Sequence, residues 1–305
     1  SFIASVFPVH LLLQPRDYLS SFLLFGGVLF GYAGLIVLNP KIIQPAYVSW
    51  RTPAGSMWPL MCVTVACGAI SGFHSLIASG TTSKQLANER FAKRIGYGGM
   101  VLEGLVAVMA VLVVCAGLKG RNLGVMLKEI GPVNSFSQGY GEVTRIFFGG
   151  YGGFIAALIL NAFILTTLDT ATRISRYLTE ELLGIKNRYL ATVIVVVLGG
   201  TLALTGAWQK IWPVFGASNQ LVAALALLVI SCWLLAHNRT LKFTILPALF
   251  MFVTAIAALI LQARKYFAVK DFLLFGISVI LLILAFYLLI EAAKVLTARK
   301  GRRKA

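Results

Sequence analysis

An apolar stretch of the sequence holds a cluster of small and polar residues whose types and spacing suit ligand binding. Gly68 and Gly72 flank Ser71, and His74 follows directly. Each glycine costs a helix about 1 kcal/mol relative to alanine, so two of them beside a serine favour a helix that breaks here. Unwound backbone within an apolar environment lines protein or a cavity, and the ends of half-helices bind ions and charged groups. We therefore predict a substrate site at six residues: Gly68, Ser71, Gly72, Phe73, His74 and Ser75. The alternative is a continuous helix whose small residues pack against a neighbour and whose histidine bonds to a carbonyl.

A second polar segment offers hydroxyl and carboxylate oxygens. Thr166 and Thr167 carry oxygens suited to a small hard cation, and Asp169 follows them. Asp169 also lies four residues before Arg173, so the two side chains can pair on one helical face. Two interpretations stay open, namely a coupling site for a cation or proton and a plain ion pair at a helix end.

Glu103 is a carboxylate well inside a predicted membrane span. It lies six residues past the start of the span predicted at 97–118, which corresponds to a depth of about 9 Å. An ionisable group at such a depth can relay protons, and we include Glu103 in the predicted coupling site. The alternative is that its side chain reaches the nearer surface or pairs with Lys93 or Arg94.

A third polar cluster enters a later apolar stretch just after Pro213. Asn219 and Gln220 carry amide groups that either line a cavity or bridge helices by hydrogen bonds. We assign both to the substrate site, with interhelical bonding as the alternative.

The sequence lacks the motifs of several catalytic chemistries. It contains no Gly-x-x-x-x-Gly-Lys-Ser/Thr phosphate loop and no Gly-x-Ser-x-Gly elbow. The three histidines are scattered, without a His/Cys/carboxylate cluster. We expect neither enzymatic activity nor a metal or organic cofactor.

Long apolar runs must position these residues. The chain is 59% hydrophobic and 12% charged, whereas a soluble domain carries roughly 25% charged residues. A helix needs ~20 mostly apolar residues to cross the hydrocarbon, and a barrel strand only ~10 alternating ones. The predicted fold is an all-α polytopic transmembrane bundle, with residues 1–292 as one transmembrane domain and 293–305 as a basic tail. Its eight predicted spans are 20–38, 57–79, 97–118, 147–169, 190–208, 214–235, 243–262 and 272–292.

The net charge of +17 is distributed between the apolar blocks. A basic protein can signal nucleic-acid binding, but this distribution is typical of the positive-inside bias of membrane proteins, and we expect no nucleic-acid partner. With the tail in the cytoplasm, 17 of the 27 Lys and Arg residues fall on the cytoplasmic side. We therefore predict that both termini are cytoplasmic.

Four segments resemble the carbon starvation protein A (CstA) family of bacterial inner-membrane transporters. They are PRDYL at 15–19, SGFHSLIASGTTSKQ at 71–85, TLDTATR at 167–173 and FGASNQL at 215–221. The resemblance implies uptake of peptides or pyruvate during starvation, coupled to H+ or alternatively Na+. It also implies kinship with transporters built from five-helix inverted repeats, in which residues 68–72 would form the second repeat's discontinuous helix. Thr166 and Thr167 would then lie two helices later, where such transporters often bind a coupling ion.

Members of this family are usually much longer and contain further upstream helices. We therefore expect this chain to be the C-terminal part of a symporter. Its expected partners are the lipid bilayer, a small-molecule substrate, and an upstream transmembrane half in the same protein or from a split gene. The rival functions are a passive pore and a non-transporting membrane sensor or subunit.

Overall fold

The computed structural model describes residues 2–52, 55–118 and 122–302. Most of these residues are helical, and a short antiparallel pair joins β1 (Arg51–Thr52) to β2 (Gly55–Ser56). In chain order the helices are α1 (Phe2–Val6), α2 (Val9–Leu38), α3 (Cys62–Ala69), α4 (Gly72–Gly80), α5 (Phe91–Gly117), α6 (Leu123–Glu129), α7 (Gly131–Val143), α8 (Arg145–Phe148), α9 (Gly152–Leu183), α10 (Arg188–Leu204), α11 (Trp208–Ala236), α12 (Lys242–Ala268) and α13 (Phe272–Arg302).

Six helical stretches within the described ranges are long and apolar enough to cross a membrane. They are α2, α5, the stretch from α8 to α9, α11, α12 and α13. The other two predicted spans correspond to α10, which has 17 residues, and to the pair α3 and α4. Large apolar side chains point outward along these helices, as lipid-facing residues do. The predicted all-α polytopic bundle is confirmed.

Several helix boundaries differ from those predicted. α2 begins at Val9 rather than residue 20, because Arg16 and Asp17 lower the hydropathy of its first turns without ending the helix. α13 continues to Arg302, so residues 293–302 of the predicted tail are helical, and residues 303–305 lie outside the described part. The segment between the third and fourth predicted spans forms α6, α7 and α8.

The chain forms two compact units. The first comprises Ser1–Val48 and Leu86–Thr201, and the second comprises Ser49–Gln85 and Leu202–Ala305. Asp169 and Glu103 belong to the first unit, whereas the interrupted helix α3–α4 and α11 belong to the second.

Close backbone contact holds α7 between α5 and α9 in the first unit. A methyl group on Gly117 of α5 would lie 2.8 Å from the Cα of Gly139 on α7, and one on Gly141 would lie 2.7 Å from the nitrogen of Gly153 on α9. Tyr140 is buried between these helices and donates a hydrogen bond of 2.8 Å to the carbonyl of Gly27 on α2. Small residues permit such short helix separations, so they explain why α7 packs tightly despite its low hydropathy.

α11 is the central helix of the second unit and packs against α12, α13, α3 and α4. Its buried face alternates small and large apolar residues, which interlock with those of α12 and α13. The cluster comprises Ala217, Leu221, Ala223, Ala224, Met251, Phe252, Ala255, Leu259 and Ala285. Gln262 of α12 adds a hydrogen bond of 2.9 Å to the carbonyl of Pro213. These contacts fix the turn of α11 that faces α4.

Candidate functional site

The helix that carries Gly68 and Gly72 is interrupted where the sequence predicts. α3 ends at Ala69 and α4 begins at Gly72, with Ser71 in an extended conformation (φ −122°, ψ 126°). The Oγ atom of Ser71 accepts a hydrogen bond of 3.2 Å from the backbone N–H of His74. Serine is a favoured N-cap residue because its side chain satisfies an N–H group that the helix itself leaves unpaired. The break is therefore stabilised locally by its own sequence.

Asn219 of α11 caps the same helix end from a neighbouring helix. Its Oδ1 atom accepts hydrogen bonds from the backbone N–H of Phe73 at 2.8 Å and from the Ser71 hydroxyl at 3.2 Å. Because an N–H group must face an acceptor, the amide oxygen faces α4 and the amide nitrogen Nδ2 faces away. Asn219 is 4% exposed, and its Nδ2 has no hydrogen-bond partner among the described residues. A buried donor without an acceptor costs about 1–3 kcal/mol of stability, so the amide nitrogen of Asn219 is a candidate for binding a ligand.

Gly72 lets α4 approach α11 closely enough for this contact. A Cβ atom at Gly72 would collide with the carbonyl oxygen of Asn219 and would lie 2.5 Å from the Cβ of Val222 and 2.7 Å from the nitrogen of Ala223. Two of these three atoms belong to backbone, which cannot rotate away as a side chain does. Gly68 differs, because a Cβ there would meet nothing within 4 Å.

Some of the other residues predicted for this site are buried, and others are exposed. Gln220 is 3% exposed, and its Oε1 has no partner within the described segments. Ser75 donates a hydrogen bond of 2.6 Å to the carbonyl of Gly72. The side chain of His74 and the backbone at Gly68 are exposed. The structure thus brings Ser71, Gly72 and Phe73 together with Asn219, and it places the histidine outside this contact.

Asp169, from the second predicted group, is 2% exposed and pairs with Arg16 of α2. Arg16 also lies 3.3 Å from Asp17. Arg173, the partner expected from the i,i+4 spacing, instead donates hydrogen bonds to the carbonyls of Ala4 at 2.7 Å and Phe7 at 2.6 Å. The cation that reaches Asp169 thus comes from another helix, whereas the helical spacing had offered Arg173 as one alternative.

The two threonines of this group lie on the continuous helix α9. Thr166 donates a hydrogen bond of 3.0 Å to the carbonyl of Ala162, four residues earlier. Thr167 is exposed. A hydroxyl that bonds its own helix in this way retains an acceptor lone pair, and the helix itself has no break at this point.

Glu103 is exposed and lines a cavity of about 500 Å³ with mostly apolar walls from α2, α5, α7 and α9. The lining includes neither Asp169 nor the threonines. Because α5 begins at Phe91, Glu103 lies about 18 Å along the helix axis from its first residue. Nine residues of rise, about 14 Å, separate it from Arg94 on the same helix, which makes the alternative of an ion pair with Lys93 or Arg94 difficult to form within α5.

Sequence reasoning missed two contributors to these sites. The first is Arg16, which lies in the PRDYL segment and neutralises an aspartate 153 residues away. Its signal was an Arg-Asp pair within an otherwise apolar helix. The second is the helix α7. The sequence features that could have indicated it are a proline in its first turn and the later Gly139-x-Gly141. Among the described residues no group of three or more His, Cys, Asp and Glu side chains could hold a metal ion.

Comparison with known proteins gives one family. Residues 1–123 and 119–258 match the family described as carbon starvation protein CstA. The chain is 32% identical to the peptide transporter CstA of Escherichia coli K12 over 78% of its own length and 44% of that protein. It is 30% identical to the pyruvate/proton symporter BtsT of the same organism, over 85% of its own length and 49% of the relative. It is also 30% identical to the peptide transporter CstA of Bacillus subtilis 168, over 96% of its own length and 58% of the relative.

The chain spans about half the length of these curated relatives. No solved structure matches it. The family match covers well over half of the residues, and the membrane-spanning helices agree with it. This multi-pass membrane protein belongs to the carbon starvation protein CstA family.

Proposed function

We propose that the protein containing this chain is a secondary transporter that carries a small carboxylate-bearing solute, a peptide or pyruvate, into the cell with H+. The names of the relatives support both the solute class and the coupling ion, since they include a peptide transporter and a pyruvate/proton symporter. Because the chain spans about half their length, we assign the activity to these helices together with the part of the protein that corresponds to the rest of the relatives' length. The relatives are bacterial, and we assign the protein to the bacterial inner membrane. As a transporter it would catalyse no reaction.

The observation that carries this proposal is the buried amide of Asn219, whose oxygen caps α4 while its nitrogen has no acceptor among the described residues. The N-terminus of a helix carries partial positive charge, which favours an anion. The N–H groups of Phe73 and His74 already have acceptors within the unit, so a substrate carboxylate would bind to Nδ2 of Asn219. That nitrogen is buried on the side of Asn219 that faces away from α4, and a solute would reach it only when the helices packed around α11 separate. Such a separation is the kind of motion that alternating access requires.

We propose Gln220, Gly68, His74 and Ser75 as further members of the substrate site. Gln220 offers a buried acceptor beside Asn219, suited to the ammonium or amide N–H of a peptide. His74 and Gly68 are exposed in this conformation, so they would meet the solute on entry rather than at the buried contact.

For proton coupling we propose Asp169 and Glu103, with Thr166 and Thr167 as neighbouring oxygen donors. Protonation of Asp169 would remove the charge that holds Arg16 and would loosen α2 from α9. Glu103 lies near the middle of α5 beside an apolar cavity, where an ionisable side chain is rare without a function. Either carboxylate could therefore couple proton binding to helix movement in the first unit.

We also propose that both termini of this chain are cytoplasmic, from the excess of Lys and Arg on that side. Single cysteines introduced near residues 242 and 270, in a variant whose four native cysteines are replaced, test this orientation. A membrane-impermeant thiol reagent added outside should label the second position and spare the first. Labelling of the first position alone would reverse the topology.

Uptake by proteoliposomes that contain the native-length protein tests the function itself. Labelled pyruvate and a labelled dipeptide are supplied with and without an imposed pH gradient. We expect one of them to accumulate above equilibrium only with the gradient. Asn219→Ala should abolish accumulation. Ser218→Ala on the same helix turn should retain it, because among the described residues the Ser218 hydroxyl bonds to the carbonyl of Phe215 on its own helix.

Each other outcome identifies a rival function. Equilibration without accumulation would indicate a passive pore. Binding of either solute without flux would indicate a sensor or subunit. Full accumulation by Asn219→Ala would remove the substrate site from the end of α4 while leaving the transport function in place.

A further inference from the structure

A basic pocket of about 700 Å³ lies where α9 and α10 are joined, in the first unit. Four cationic side chains and one carboxylate line it, together with residues 5–8 at the end of α1. The charged residues are Arg173, Arg176, Lys186, Arg188 and Glu180. None of them belongs to the substrate or coupling residues discussed above. The excess of positive charge makes the pocket a candidate anion site.

Two of these cations are deeply buried and incompletely satisfied. Arg173 and Arg176 are 5% and 6% exposed, and the Nε atom of each has no hydrogen-bond partner within the residues that the structure describes. Arg173 donates to carbonyls of the α1 segment, which satisfies hydrogen bonds but leaves its charge uncompensated. Arg176 Nε lies 3.9 Å from Glu180, too far for a normal hydrogen bond. The hydroxyl of Ser5 is also buried without a partner.

This arrangement favours a phosphate group. Buried charges need a counter-ion, and one carboxylate cannot balance two buried guanidinium groups and two further cations. A guanidinium group presents a planar fork of N–H donors that matches the oxygens of a phosphate. The unpartnered hydroxyl of Ser5 supplies another donor for the same anion.

The surroundings of the pocket favour a lipid as the source of that phosphate. Tyr177 and Tyr189 lie at its rim, about half exposed, with their rings beneath the guanidinium groups of Arg176 at 4.5 Å and Arg188 at 5.0 Å. Tyrosine is enriched at the level of lipid headgroups. Leu182 in the last turn of α9 is 82% exposed, so acyl chains would find apolar surface directly beside the charges.

We propose that this pocket binds the phosphate of an anionic phospholipid headgroup at the membrane surface. Basic pockets between transmembrane helices are known sites for such headgroups. The bound lipid would compensate the buried arginines and fix the turn between α9 and α10. The same chemistry would accept a free phosphate, and the experiment must separate the two sources.

The test measures lipid binding to the purified native-length protein by native mass spectrometry and by thermal unfolding. Phosphatidylglycerol, phosphatidylcholine and inorganic phosphate are titrated separately. The variant K186Q/R188Q removes two exposed cations from the pocket. Its matched control, R239Q/K242Q, removes two exposed cations at and just before the start of α12, outside the pocket.

We expect phosphatidylglycerol to bind and to raise the unfolding temperature, and phosphatidylcholine to do neither. A basic side chain near an anionic headgroup contributes about fivefold in affinity, so K186Q/R188Q should bind phosphatidylglycerol roughly 30-fold more weakly. The control should change by less than about threefold. A variant Arg176→Gln that still folds in phosphatidylcholine should lose the stabilisation by phosphatidylglycerol.

Two results would overturn the proposal. Equal weakening by both double variants would mean that phosphatidylglycerol senses only general surface charge. Stabilisation by inorganic phosphate, without preference for phosphatidylglycerol over phosphatidylcholine, would assign the pocket to a soluble anion instead.

Discussion

Replacing Gly72 by alanine would place a methyl group against the backbone of α11. The added carbon would collide with the carbonyl oxygen of Asn219 and lie 2.7 Å from the nitrogen of Ala223. Neither atom can move without displacing the helix. α4 must therefore withdraw, and its withdrawal stretches the hydrogen bond from the N–H of Phe73 to Asn219.

The expected loss of stability combines two effects. Forcing an extra carbon into a packed contact costs about 1–3 kcal/mol. Each of the two hydrogen bonds to Asn219 contributes about 1 kcal/mol, and both weaken together. The Gly72→Ala variant should therefore lose roughly 2–5 kcal/mol in its free energy of unfolding. Gly68→Ala is the matched control, since its methyl group meets nothing within 4 Å, and it should gain up to about 1 kcal/mol from helix propensity.

Thermal unfolding of the purified protein in one detergent compares the two variants. The Gly72→Ala protein should unfold roughly 5–10 °C below the Gly68→Ala protein. If both variants unfold at the temperature of the unchanged protein, the close contact between α4 and α11 does not exist in solution, and the proposed substrate site loses its structural basis.

Three further changes test contacts in the first unit. Asp169→Asn leaves Arg16 without its buried partner and should lower the free energy of unfolding by about 3 kcal/mol. A double-mutant cycle with Arg16→Gln, measured by thermal unfolding, should show strong coupling between the two residues. Additive effects of the two substitutions would contradict the ion pair. Tyr140→Phe removes the hydrogen bond to the carbonyl of Gly27 and should lower the free energy of unfolding by about 1–2 kcal/mol. An unchanged unfolding temperature would contradict that hydrogen bond. Gly117→Ala should separate α5 from α7 at a cost of about 1–3 kcal/mol, and an unchanged unfolding temperature would contradict their backbone contact.

The interrupted helix was predictable from sequence because its causes are local. Two glycines weaken the helix, and Ser71 caps the segment that follows, all within five residues. The capping role of Asn219 was not predictable in the same way. The sequence shows Asn219 and Gln220 as a polar pair within an apolar helix. The partner of Asn219, Phe73, lies 146 residues away, and the packing of α11 on α4 brings the two together.

The partner of Asp169 and the helix α7 illustrate the same limit. Helical spacing suggested Arg173 as the partner, but tertiary packing brings Arg16 to the carboxylate. α7 is too polar for hydropathy to detect, and its stability comes from glycines on two other helices that admit its backbone. The transmembrane bundle follows from composition and run length, whereas contacts between distant helices depend on the three-dimensional arrangement.

The glycine contacts around α7 also affect how genetic data on this protein should be interpreted. A methyl group at Gly117, Gly139 or Gly141 would strike backbone atoms of a neighbouring helix. A mutational scan scored only by growth on a transported nutrient would rank these positions with the solute-binding residues, although none of them needs to touch a solute. Scoring the amount of folded protein in the membrane beside growth would identify the glycine positions, because variants there should reduce growth in proportion to the amount of folded protein, whereas loss of a solute-binding side chain should reduce growth beyond any loss of folded protein.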